Sequence, residues 1–171
     1  HSVLQYPQLR ERSFAHFSFG KTFSVTGWKT GYCVAPPALT AELRKVHQFV
    51  AFVAVTPVQQ AVADFLATDP QYPATLANFY QQKRDLFCHA LSSSRFRVSA
   101  SGGTYFQLLD YSELSDLPDH QLCEDWTRKL GIASIPMSVF YDSPPQQHYL
   151  RFCFAKSDTT LEKAAEVLCK I

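Results

Sequence analysis

Ser18, Lys21 and Lys29 place a hydroxyl and two primary amines in one short stretch, SFGKTFSVTGWKTGY. A lysine amine in such company has two uses. It can reach a nucleotide's phosphates from a P-loop, or it can condense with a carbonyl while neighbouring donors hold a phosphate on the same small molecule. The first use requires G-x-x-x-x-G-K-[ST], and its opening glycine would stand where the chain has Ala15; no glycine precedes Gly20. Without that loop of phosphate-facing N–H groups, Gly20-Lys21-Thr22 is a chance tripeptide, and the nucleotide reading is rejected. The second use requires hydroxyl and cationic donors close to a ring that bears an aldehyde and a phosphate ester, and Ser18 and Lys29 can supply both. Spacing alone does not separate this from a solvated lysine, a turn hydroxyl and a cation at a strand end.

The elements around these residues alternate without one simple period, which gives an α/β or α+β chain. Residues 1–5, 12–19 and 28–35 read as extended, the last stopped by Pro36-Pro37. Phe14, Phe17 and Phe19 read as core. Residues 39–52 read as a helix with Leu43, Val46, Val50 and Val53 on one face, and Thr56-Pro57 as the cap and first residue of the next. A long helix is expected over 74–91, then strands at 96–98 and 104–109, and a helix at 119–130 ended by Gly131. Strands at 132–135 and 149–154 and a terminal amphipathic helix at 159–169 complete the pattern. The change of pattern near 70–95 suggests two domains, 1–72 and 73–171, joined by the long helix.

Composition narrows the setting. With 46% hydrophobic and 18% charged residues the chain is globular, and 14 phenylalanines need a core, a pocket or an interface to hide in. Sixteen basic against 15 acidic residues, net +1, give no reason to expect nucleic acid or an anionic membrane as partner. No apolar run is long enough to span a bilayer, and no signal peptide is visible. Cys33, Cys88, Cys123, Cys153 and Cys169 form neither a CxxC nor a paired framework, and no HExxH occurs. The expectation is reduced cysteines in a cytoplasmic protein, without a metal site.

SFGKTFSVTGWKTGYCVAP (18–36) resembles the lysine segment of class I/II, fold-type I pyridoxal phosphate (PLP)-dependent aminotransferases, approximately S-x-[GS]-K-T-[FY]-x-x-T-G-[WY]-[RK]-x-G. VTPVQQA (55–61), SGGTYFQLLDYS (101–112), SIPMSVFY (134–141) and LRFCFAKSDTTLEKAAEVL (150–168) resemble further segments of that family, in the family's order. Within it, HSVLQYPQLRERSFAHFSFGKTF and KVHQF are most similar to the methionine, kynurenine and glutamine aminotransferase branch. Met137 stands where I-P-G-S has glycine, as in methionine aminotransferase-like members, although it also reads as packing.

The resemblance implies the C-terminal part of the PLP-dependent transferase fold: the end of the large-domain mixed sheet with its helices, a linking helix, then an α/β small domain. It implies that Lys21 bonds covalently to PLP, that Ser18 and Lys29 contact its phosphate, and that Arg151 holds the substrate α-carboxylate. Phe52 matches an aromatic that reaches a neighbouring subunit's pocket, and a homodimer follows. By itself Arg151, between Leu150 and Phe152, reads equally as an outward-facing strand residue. The implied activity is transfer of an amino group between an amino acid of methionine, glutamine or aromatic type and a 2-keto acid. A C–S β-lyase of the same fold and a non-catalytic truncated module are the rival readings. Family members are more than twice this long, and their N-terminal half supplies a phosphate turn, a stacking aromatic and the pyridine contacts. The chain is therefore expected to be a fragment that holds PLP weakly or not at all by itself and is inactive in isolation.

Overall fold

Two compact units divide the chain, His1–Leu76 and Ala77–Ile171. The computed structural model describes residues 2–145 and 147–171.

The first unit is organised by one antiparallel hairpin. Strands β1 (Ala15–Ser18) and β2 (Gly31–Val34) pair from Ala15 opposite Val34 to Ser18 opposite Gly31. At Gly31 a Cβ would run into the Phe17 carbonyl, so the hairpin closes only with glycine there. Around the hairpin lie the helices α1 (Pro7–Arg10), α2 (Phe19–Thr22), α3 (Pro37–Val50), α4 (Thr56–Thr68) and the start of α5 (Tyr72–Ala90). Aromatic contacts join them. Tyr32 packs 4.9 Å from both Phe17 and Phe19, and Phe23 meets Phe65 and Tyr72 at 5.4 and 5.8 Å.

Several expectations fail in this unit. Residues 3–5 form a 3-10 turn instead of a strand, because the Ser2 hydroxyl and the Gln5 side chain close a capping box around it; His1 lies outside the described residues. Phe14 and Phe17 are 41% and 37% exposed and are not core, because a two-stranded sheet covers neither of its own faces. The periodic face of α3 is uncovered as well: Val46 and Val50 are exposed. Thr56 is the first residue of α4 rather than its cap, with Pro57 in the first turn, where a missing N–H costs nothing.

The second unit has a true core. Its antiparallel sheet runs in the order β3 (Arg97–Val98), β4 (Phe106–Asp110), β6 (Tyr149–Cys153), β5 (Ile135–Pro136). One face sends Gln107, Leu109, Leu150 and Phe152 inward, where α5, α6 (Asp119–Leu130) and α7 (Asp158–Leu168) meet them with Phe87, Leu122, Trp126, Leu161 and Leu168. The alternate residues Phe106, Leu108 and Arg151 face the other way and are partly or largely uncovered. The strand expected at 132–135 is only Ile135–Pro136, because Ile132 drops into the core instead of joining the ladder.

Helix ends follow local chemistry. α6 carries Asp119 in its first turn and Arg128 and Lys129 in its last, matching the helix dipole, and Gly131 ends it at φ 69°. At α7 the Ser157 hydroxyl accepts from the Thr160 N–H.

Candidate active site

Ser18 ends β1, Lys21 and Lys29 lie in the loop that leads from it to β2, and the hairpin register brings the two ends of that loop together. The Phe19 and Gly20 N–H groups both donate to the Thr30 carbonyl, at 3.1 and 3.4 Å. Inside the loop, the Thr22 hydroxyl donates to the Ser18 carbonyl at 3.2 Å and the Val25 N–H to the Gly20 carbonyl at 3.0 Å. Thr30 is buried, and its hydroxyl donates back to the Trp28 carbonyl. Gly20 is buried too, and a Cβ there would crowd Thr26 Cα at 3.2 Å.

This framework holds up side chains that are themselves exposed. Ser18 ends β1, Lys21 sits in the single turn of α2, and Lys29 takes a left-handed conformation at φ 51° just before Thr30. Left-handed backbone is uncommon for lysine and holds that residue off the ordinary strand path. Among the described residues neither lysine has an acidic partner, and the Ser18 hydroxyl caps nothing. Two unneutralised amines and a free hydroxyl on a pinned loop fit a phosphate-bearing carbonyl compound, with one amine left over for the carbonyl. The residues present fit PLP on that ground.

Phe52 is not part of this loop. It lies just beyond α3, 77% exposed and left-handed at φ 63°, its N–H bonded to the His47 carbonyl at 2.8 Å. Phe49, Val50, Val53 and Val55 around it are also exposed, so the end of α3 is an apolar surface.

Arg151 stands in the second unit, on β6 opposite Leu108 of β4 and Ile135 of β5. Its guanidinium carbon lies 4.2 Å from the Phe106 ring centre and 4.6 Å from that of Phe140. Its Nε is buried without a hydrogen-bond partner, and no carboxylate pairs with it among the described residues. A buried donor without an acceptor is rare and costly. A planar fork held by aromatic rings with its N–H groups unused suits a carboxylate that makes two parallel hydrogen bonds.

Sequence reasoning missed the supports of Arg151. Phe106 is on β4, and Phe140 closes a 3-10 turn, Ser138–Phe140, that is tied to α6 through Asp119. Burial pushes the Asp119 carboxyl up, but hydrogen bonds from the Ser138 hydroxyl and from the N–H groups of Ser138 and His120 outweigh it and hold the carboxyl below its usual value. Tyr111 beside it is pushed up to about 12, by burial and then by the Asp119 charge. The available signal was an acidic residue at a helix start, which capping alone would explain. Among the described residues no group of three or more His, Cys, Asp or Glu side chains can hold a metal.

Comparison with known proteins places this geometry in context. The family described as Aminotransferase class I and II matches residues 11–168. A methionine aminotransferase of Escherichia coli is 50% identical over 167 residues, 98% of this chain but 43% of that protein. A human kynurenine–oxoglutarate transaminase is 34% identical, over 99% of this chain and 45% of its own. Among solved structures, an Escherichia coli protein with a methionine aminotransferase function superposes with a TM-score of 0.95 at 49% identity, covering 100% of this chain and 45% of that one. N-succinyldiaminopimelate aminotransferase from Mycobacterium tuberculosis gives 0.87 at 34% identity, over 98% and 44%. The chain thus spans less than half the length of the relatives it matches.

Proposed function

The chain belongs to the aminotransferase class I and II family, and from that membership we propose that it serves a PLP-dependent enzyme that moves an amino group from an amino acid to a 2-keto acid. The observation that carries this reading is the Ser18–Thr30 loop: Lys21 is presented without an acidic partner, with the Ser18 hydroxyl and the Lys29 ammonium on the same pinned backbone. Bound PLP supplies an aldehyde and an electron-withdrawing ring that makes the substrate Cα proton removable.

The chain's own residues do the rest. Ser18 and Lys29 bind the phosphate oxygens by charge-assisted hydrogen bonds. The Lys21 amine would hold the aldehyde carbon and, when free, would be the base that moves the proton from the substrate Cα to the cofactor carbon. An amine suits that task because its pKa falls readily when it is desolvated or set beside another cation. Arg151 holds the α-carboxylate through two parallel hydrogen bonds. The 50% identity to a methionine aminotransferase favours a methionine-type amino acid as donor. The exposed apolar end of α3, with Phe49, Val50 and Phe52, supports contact with a second subunit. Among the described residues no helix is long and apolar enough to cross a membrane.

The test is amino transfer by the full-length protein from methionine to a 2-keto acid, together with borohydride trapping of the cofactor. Lys21→Ala abolishes turnover, and in the wild type the trapped pyridoxyl group is found on Lys21. Release of pyruvate or ammonia with no need for a keto acid acceptor would overturn transamination in favour of elimination. The 171-residue chain by itself is expected to turn over no substrate, because it spans less than half the length of its relatives.

A further inference from the structure

We propose that Asp119 is a positioning residue for substrate binding: by clamping Ser138 it fixes the turn that lays the Phe140 ring on the Arg151 guanidinium. This rests on the reading of Arg151 as the carboxylate site.

The two rings at Arg151 are held in different ways. Phe106 is part of β4 and is fixed by the β4–β6 ladder, in which it pairs with Cys153. Phe140 has no such ladder, and it is 54% exposed, so core packing does not hold its ring. Its place depends on the turn that carries it. That turn is short and internally bonded, from the Phe140 N–H to the Met137 carbonyl at 3.2 Å and from the Tyr141 N–H to the Ser138 carbonyl at 3.2 Å. A displacement of Ser138 is therefore passed on to Phe140 two residues later.

Among the described residues, Asp119 is the one acidic side chain that bonds Ser138. Asp119 Oδ2 accepts from the Ser138 N–H at 2.7 Å, and Oδ1 accepts from the Ser138 hydroxyl at 2.7 Å. Within the first turn of α6, Asp119 Oδ1 also accepts the His120 N–H at 2.8 Å, so the helix start engages only one of the two oxygens. The second oxygen and the added hydroxyl bond go to the turn. With Asp119 only 6% exposed, neither bond competes with bulk water. The chain of contacts runs from Asp119 to Ser138, to Phe140, to Arg151, all within the second unit.

Phenylglyoxal labelling of Arg151 in the full-length protein, read by peptide mass spectrometry, tests the link without relying on turnover. Asp119→Ala and Ser138→Ala are each expected to label Arg151 severalfold faster than wild type, because Phe140 no longer covers part of the guanidinium. Ser138→Thr keeps the hydroxyl and restores the slow rate. Ser138→Ala leaves no unpaired buried charge, so it decides the matter even where Asp119→Ala fails to fold, and a thermal melt followed at Trp126 checks that the unit is intact. In turnover, Ser138→Ala raises the amino acid KM by about tenfold and moves kcat less, the scale and pattern of a weakened binding contact. Equal labelling rates in wild type and Ser138→Ala would overturn the proposal. Pyruvate is the carboxylate probe: if it fails to slow labelling of wild-type Arg151, the carboxylate reading falls, whereas the wild type to Ser138→Ala difference tests the clamp separately.

Discussion

Asp119 and Ser138 are joined twice, the carboxylate oxygens taking the serine's backbone N–H and its hydroxyl at 2.7 Å each. The doubled bond holds the Asp119 carboxyl below the ordinary value of 3.8, so its contribution is complete above that pH and is lost as pH falls through the lower folded value. Asp119→Asn should therefore be less stable than wild type at neutral pH, with the gap closing below about pH 4. The sign reverses at the alkaline end. Tyr111 is neutral in the folded unit well past its usual 10.0, so ionisation in the unfolded chain removes stability above that pH. Urea denaturation followed at Trp126 across the pH range checks both limbs.

Gly31 and Gly27 make a matched pair. A Cβ at Gly31 would strike the Phe17 carbonyl, whereas one at Gly27 meets nothing within 4 Å. Gly31→Ala should open the β1–β2 hairpin, costing on the order of 2 kcal/mol, and with it the alignment of Lys21. Gly27→Ala should change stability by about 0.5 kcal/mol or less. Thermal melts of the two variants, with cofactor retention in the full-length protein, separate backbone closure from a general intolerance of the loop.

Gln107 is fully buried on β4, and its amide bonds both the loop before the strand and the strand itself. Its Nε2 donates to the Ser99 and Leu108 carbonyls at 2.7 and 2.8 Å, and its Oε1 accepts from the Ser101 N–H at 3.1 Å. Gln107→Leu keeps the volume but strands those groups, so a loss of about 2–4 kcal/mol is expected. Hydrogen exchange at the Ser101 N–H should accelerate well beyond the global change, because its acceptor is gone.

How far the sequence reads depends on where the organising force lies. Gly131 ending α6 and the alternation around Leu150 and Phe152 are local, and both appear as expected. The hydrophobic face of α3 and the phenylalanines of β1 follow the same rules, yet they are exposed, because periodicity shows which face would be buried and not what is present to bury it. Lys21, Ser18 and Lys29 were legible as types and spacing, and Gly31 as the device that folds their loop was not. Asp119 was read as a helix start, since its second partner, Ser138, is 19 positions away and no local pattern links them.

Arg151 gives the sharpest kinetic expectation. Its guanidinium is flanked by Phe106 and Phe140, and its Nε is buried without an acceptor. Lysine keeps the charge but loses the planar fork and the broad surface that lies on the rings. Arg151→Lys should therefore lower kcat/KM for the amino acid by about a hundredfold, about 2.7 kcal/mol, mostly through KM. Arg151→Ala should be at least as costly in turnover but mild in stability, because it removes an unsatisfied buried donor along with its packing on the rings. Steady-state kinetics on the full-length protein, beside melts of each variant, would show the split. A KM unchanged in Arg151→Lys would mean that the carboxylate is held elsewhere.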